Sequence, residues 1–162
     1  MPNWCYNNVT LTHDEPEMID RAISGYQKEG LANEFVPLPE SEKDNWYEWC
    51  VSNWGTKWEM GIIDWERYDD NTIWISFQSA WSPPIAIYEY VYNLGWQVEG
   101  LYHEGGMAFC GIWKDGDDDY YEYESDDLES LEALPDDLQE FTGLIDYYHD
   151  QEAEREREAE EE

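Results

Sequence analysis

Asn53-Trp54-Gly55-Thr56-Lys57-Trp58 sets one of the chain's four lysines between two tryptophans. A cation flanked by indoles can hold a carboxylate or phosphate while the rings stack on a base or another planar group. The same residues have a plainer use. Gly55 can make a tight turn, and Lys57 can lay its stem on a Trp face and neutralise a nearby acid. Trp81-Ser82-Pro83-Pro84 suggests an anion site at a helix start. Each proline removes an N–H that would point at the anion, so the expectation is a rigid helix start with Trp81 packed into the core. Glu104 beside His103, next to Gly105-Gly106, would suit acid–base work. Adjacent residues on a strand face opposite ways, which argues against a direct pair.

Asn53, Trp54, Lys57, Trp58, Trp81 and Glu104 are therefore the candidate ligand-binding residues, and no catalytic residue is assigned. The sequence holds no Ser-His-Asp arrangement, P-loop or dinucleotide fingerprint, so a non-enzymatic protein without a cofactor is expected. Asp115-Gly116-Asp117-Asp118-Asp119 has the look of a calcium loop, but Tyr120 stands at its sixth position and strand-like sequence flanks it. A tight acidic turn is the better reading. His13, His103 and His149 are isolated, and no two Cys or His have zinc-ligand spacing, so no metal is expected.

The 162 residues suit one domain, or one domain with an appendage, and carry 40 Asp and Glu against 8 Lys and Arg, a net charge of −32. Such a field repels phosphate, which excludes direct binding to nucleic acid or to an anionic membrane surface. Ten Trp, 13 Tyr and four Phe are far too many aromatics for an acidic disordered chain. Nothing near the N-terminus has the pattern of a secretory signal, and no stretch approaches the ~20 apolar residues that span a bilayer. Cys5, Cys50 and Cys110 are odd in number and far apart, so buried reduced thiols in a cytoplasmic protein are expected. The charge is uneven: residues 1–114 hold 18 acids and 6 bases, and residues 115–162 hold 22 acids and 2 bases. All ten Trp lie in the first part, so we divide the chain into a folded body (1–114) and an acidic extension (115–162).

Cys5 to Thr12 alternates like a strand, with Cys5, Asn7, Val9 and Leu11 on one face. Glu15 to Lys28 reads as a helix capped by Asp14, with Met18, Ala22, Ile23 and Tyr26 as its apolar stripe and Gly30 as its stop. Phe35 to Pro39 is an extended connector, and a short helix over about Lys43 to Ser52 would carry Trp46, Trp49 and Cys50 on one side. Met60–Glu66 and Thr72–Ser79 look like paired strands around Asp69-Asp70-Asn71. Ser82 would cap a helix running from Pro83 to about Leu94. Gln97–Glu104 and Met107–Trp113 form a last hairpin. This order is that of an α+β ferredoxin-like split βαβ sandwich with one extra strand. In the extension, largely helical after about residue 126, Leu131, Leu134, Leu138, Phe141, Ile145 and Tyr148 follow heptad spacing, interrupted by Pro135. That seam would dock on the body or on a second copy, which makes Leu138, Phe141, Ile145 and Tyr148 a candidate homodimer surface.

Four segments resemble a family of small phage- and plasmid-encoded proteins with a YubB-type ferredoxin-like domain. They are Met1-Pro2-Asn3-Trp4-Cys5-Tyr6-Asn7, Asn53-Trp54-Gly55-Thr56-Lys57-Trp58, Ala80-Trp81-Ser82-Pro83-Pro84, and Glu104-Gly105-Gly106-Met107-Ala108-Phe109-Cys110-Gly111. The resemblance implies the ferredoxin-like fold and a mobile-element origin. It supplies no reaction, and it does not extend past Lys114.

Three functions are compatible with this sequence. The first is an acidic accessory protein that imitates nucleic-acid phosphates and blocks a basic, nucleic-acid-binding host defence protein. Its candidate surface comprises Asp115, Asp117, Asp118, Asp119, Glu122, Glu124, Asp126 and Asp127, with Glu152, Glu154, Glu156 and Glu158 further along. Were residues 115–162 wholly helical they would extend about 72 Å, with about one carboxylate per 3.3 Å against ~3.4 Å along a DNA strand. The second is a module binding a nucleotide-like molecule in the Trp54, Lys57, Trp58 and Trp81 region. The third is acidity as adaptation to high salt, with no special partner.

Overall fold

The computed structural model describes residues 3–161; Met1 and Pro2, which open the first of the four segments, and Glu162 lie outside the described residues. Period-two alternation governs the strands. In β1 (Trp4–Thr12), Cys5, Asn7, Val9 and Leu11 are buried while their neighbours face out. In β3 (Thr72–Ala80), Ile73, Ile75, Phe77 and Ser79 turn to the same side. With β2 (Gly61–Asp69), β4 (Gln97–Glu104), β5 (Phe109–Lys114) and β6 (Asp117–Glu122) they form one sheet in the order β2-β3-β1-β4-β5-β6. Every pairing is antiparallel. The first four strands stand in ferredoxin order, and the fold is an α+β sandwich as expected. β5 is the extra strand, and β6 adds another that the acidic composition concealed.

The boundary at Asp115 falls inside the β5–β6 hairpin. Asp115 (φ 46°) and Gly116 (φ 100°) form its two-residue turn, the conformation that Asp-Gly favours. The chain on both sides of that boundary belongs to one sheet.

One face of the sheet is covered by α1 (Pro16–Lys28), α2 (Leu31–Phe35), α3 (Trp46–Trp54) and α4 (Ile85–Asn93), which share a core with Val9, Leu11, Ile73, Ile75, Phe77, Val98 and Trp113. Two voids inside that core are about 10 Å³ each, at the lower limit for a single water. Two local expectations are corrected. Asp14 does not cap α1, because Glu15 occupies the N-cap and makes no side-chain bond. The connector is free of helix and strand over residues 36–39 as expected, but α2 precedes it unforeseen; its first N–H groups are satisfied by Glu59, whose carboxylate accepts from Ala32 N at 2.8 Å and Asn33 N at 2.9 Å. The expected helix at Lys43 is a 3-10 turn (Glu40–Asn45) leading into α3, which buries Cys50 and Trp54 and leaves Trp46 exposed.

The opposite face is half covered. α5 (Leu128–Glu132), α6 (Asp136–Thr142) and the start of α7 (Leu144–Glu161) lie over β4 to β6. There Leu131, Leu134 and Leu138 pack with Cys110 and Tyr123, flanked by Leu101 and Ile112. The heptad seam thus closes on its own sheet. Leu138 is wholly buried and not on offer to a second copy; Phe141, Ile145 and Tyr148 pack at the margin with partial exposure. Among the described residues no helix is long and apolar enough to cross a membrane.

All three thiols are free and buried. Burial pushes Cys5 up to about 12 and Cys110 up to about 11, and raises Cys50 as well. At pH 8 a thiol near 12 is ionised in only about one molecule in 10⁴. Iodoacetamide at pH 8 should therefore leave Cys5 and Cys110 unmodified in the native protein and alkylate both in urea, as read by mass spectrometry. Rapid native labelling of either would refute their place in the core.

Candidate functional site

The four segments that carry the family resemblance meet at one end of the sheet. Trp81 N–H donates to the Asn3 carbonyl at 2.9 Å, Thr56 Oγ1 to the Ala80 carbonyl at 3.1 Å, and Ser82 Oγ to the Gly55 carbonyl at 3.0 Å. Glu104 pairs with Cys5 across β1 and β4, and a Cβ on Gly106 would collide with the Asn3 side chain. Beneath them runs a buried polar chain. Tyr88 Oη donates to Asn7 Oδ1 at 3.2 Å, Asn7 Nδ2 to Ser79 Oγ at 3.0 Å, and Ser79 Oγ to the Ser82 carbonyl at 2.6 Å. Asn7 and Ser79 are both 1 % exposed, so losing one partner would strand the next.

This framework fixes Trp81 in the left-handed region at φ 68°, where a bulky residue seldom settles without outside constraint. The expected packing of Trp81 into the core is overturned: the side chain is 44 % exposed. Ser82 does not cap α4, since its hydroxyl serves Gly55 and Pro84 holds the N-cap. Trp81 instead meets Lys57. The Lys57 ammonium lies 4.0 Å from the Trp81 ring and 4.1 Å from the Trp58 ring, and Trp4 leans on Trp58 with centroids 6.0 Å apart. Among the described residues no carboxylate comes within 4.0 Å of Lys57. The plain reading of stacking on Trp holds, while the expected neighbouring acid is missing.

The remaining ligand candidates are drawn off into structure. Trp54 is 3 % exposed and donates Nε1 to the Val36 carbonyl at 2.7 Å. Asn53 donates back to the Trp49 carbonyl within α3. Glu104 is buried and accepts from Gly106 N at 2.6 Å and Met107 N at 3.0 Å, closing the β4–β5 turn. His103 leaves the strand on the other face and shares a 2.7 Å hydrogen bond with Tyr123 Oη; burial lowers its pKa. The two side chains do not meet. Sequence reasoning left Trp4 out of the site and missed the Asn7–Ser79–Tyr88 chain; the alternation of β1 marked Asn7 as inward-facing, the one available signal.

The acidic candidates divide in the same way. Asp115 accepts from Val98 N at 2.8 Å, Asp118 from Tyr102 Oη at 2.7 Å, Asp127 caps α5 through Glu129 N, and Glu122 accepts from Tyr120 Oη at 3.1 Å. Burial, reinforced by Asp118, holds the Tyr102 phenol far above its ordinary range. Asp117, Asp119, Glu124 and Asp126 are exposed, and so are Glu152, Glu154, Glu156 and Glu158 on α7. Among the described residues no group of three or more His, Cys, Asp or Glu is placed to hold a metal ion.

No family model matches this chain, and no curated protein matches it. A solved structure that does is a protein named api92 from Yersinia pseudotuberculosis, assigned to the family DUF1281. It is 24 % identical over 48 % of this chain, with a TM-score of 0.37, and the match covers 30 % of that protein's length.

Proposed function

We propose that this protein is a non-enzymatic, strongly acidic accessory protein whose exposed carboxylates occupy the basic groove of a nucleic-acid-binding host protein. The observation that carries the reading is α7: eighteen residues, eight of them acidic, with none buried. Its first residues pack against the second core, and beyond Gln151 every described residue is exposed. That stretch contributes no packing to the fold and is free to serve an encounter. At ~1.5 Å per residue α7 is about 27 Å long, so its eight acids give about one carboxylate per 3.4 Å, near the spacing along a DNA strand, and about one net negative charge per 4.5 Å once Arg155 and Arg157 are counted. The whole extension is not the 72 Å rod considered from sequence, because β6, α5 and α6 are folded into the body. The charged reach is therefore α7 together with the free carboxylates of the β6 edge.

The setting within a phage or other mobile element, acting in the host cytoplasm against a defence protein, rests on the resemblance of the four segments. Affinity capture from host lysate tests the reading. A basic DNA-binding protein should be retained at about 50 mM salt, released by about 500 mM, and displaced by added duplex DNA. Recovery of no basic protein at either salt would refute it.

A further inference from the structure

We propose that Trp58 and Trp81 form an ammonium-binding slot, held closed by the chain's own Lys57, that takes a lysine side chain of the basic partner when Lys57 swings out. The slot already displays its chemistry. An ammonium sits 4.1 Å from one ring and 4.0 Å from the other, the geometry in which indole faces attract cations and recognise alkylated ammonium groups. Lys57 occupies it in a chain of 40 carboxylates, none of which lies within ion-pair distance of it among the described residues. Among the described residues no hydrogen bond holds its ammonium there, so what holds it is the pair of rings.

The walls are built and accessible. Trp81 is kept at φ 68° by its own N–H bond to the Asn3 carbonyl and by the flanking Ser82, whose carbonyl accepts from Ser79 Oγ and whose N–H donates to the Ala80 carbonyl, a strained conformation that persists only where its surroundings impose it. Trp58 remains 39 % exposed, Trp81 44 % and the rim residue Trp4 37 %. Charge decides what enters. A net charge of −32 concentrates cations around the molecule and repels phosphates and carboxylates, which disfavours a nucleotide despite the aromatic surface. An incoming lysine replaces Lys57 like for like, and Lys57 is released into a field that stabilises it anywhere on the surface. Exposed Trp is also the residue type that anchors interfaces most strongly.

The inference rests on the acidic-surface reading only for the source of the ammonium; the slot itself is tested without a partner. Tetramethylammonium chloride is titrated into the full-length protein and its Lys57→Ala and Lys57→Gln variants, with sodium chloride as the ionic control and indole N–H signals in ¹H–¹⁵N spectra as readout. Both variants should show saturable shifts confined to the signals of Trp58 and Trp81. Half-saturation should lie about tenfold lower than in the parent, whose tethered lysine competes at high effective concentration. Adding Trp81→Gly, which relaxes the backbone while removing one wall, should abolish the response. Shifts no larger than those with sodium chloride, equal half-saturation in parent and variants, or an undiminished response without Trp81 would each overturn the slot. The salt-dependent capture of a basic partner is read separately, so either idea can fail alone.

Discussion

Replacing Leu138 with alanine should lower the stability of the whole chain, not merely of its acidic end, by about 3 kcal/mol. Leu138 is wholly buried where α6 crosses β4 and β5, among Leu131, Leu134, Cys110 and Tyr123. Removing three carbons there loses their transfer free energy and leaves a cavity that the flanking sheet fills poorly. Because β4 and β5 also carry Val98 and Trp113 of the other core, the two layers share strands and should unfold together. Urea unfolding followed by Trp fluorescence tests this cleanly, since all ten Trp precede residue 115. The fluorescence and far-UV midpoints should fall together. A fluorescence midpoint unmoved by Leu138→Ala would mean that residues 115–162 are an independent appendage.

Why the sequence divided where the structure does not follows from what composition measures. Charge density reports solvent exposure, and an edge strand is exposed on its outer side. Asp117, Asp118 and Asp119 therefore read as an acidic turn, although acidic side chains on an edge strand are a standard guard against pairing with other chains. The heptad spacing of Leu131, Leu134 and Leu138 was legible as an apolar seam, but spacing alone does not say which surface covers it. The ferredoxin order was legible because alternation in β1 and β3 and the Gly-rich β4–β5 turn are local signals.

The site was legible only in part, for a related reason. Lys57 and its indoles stood out by type and spacing. The exposure of Trp81, in contrast, depends on a left-handed backbone imposed by Asn3, Ser79 and Ser82, contacts 78 residues apart in the first case. No local rule places a bulky aromatic there. Glu104 looked reactive for the same reason it is buried: a carboxylate beside two glycines is equally suited to accept the N–H groups of a tight turn.

Neutralising α7 should separate binding from stability. A variant with Glu152, Glu154, Glu156 and Glu158 all changed to Gln should lose at least about tenfold in affinity for the proposed basic partner at low salt, while its melting temperature stays level or rises. The binding loss follows from removing four exposed charges that, among the described residues, make no ion pair beyond the 3.8 Å approach of Glu152 to His149. The unimpaired stability follows from the balance of charges along the helix. Glu152–Glu156 and Glu154–Glu158 are like-charge pairs one turn apart, each destabilising by about 0.2–0.5 kcal/mol, and their removal offsets the loss of the Glu152–Arg155, Glu154–Arg157 and Arg155–Glu158 pairs of similar size. The net charge of −32 also shrinks, and self-repulsion with it. Glu158 also sits in a last turn that carries no basic residue, where the helix dipole already presents its negative end. A sequence shaped for helix stability would place lysines there. Acids placed against that local cost are what an interaction surface for a cationic partner requires, and affinity should therefore fall without a fall in stability. Unchanged affinity in the neutralised variant would remove α7 from the interface and leave its acidity to solubility alone.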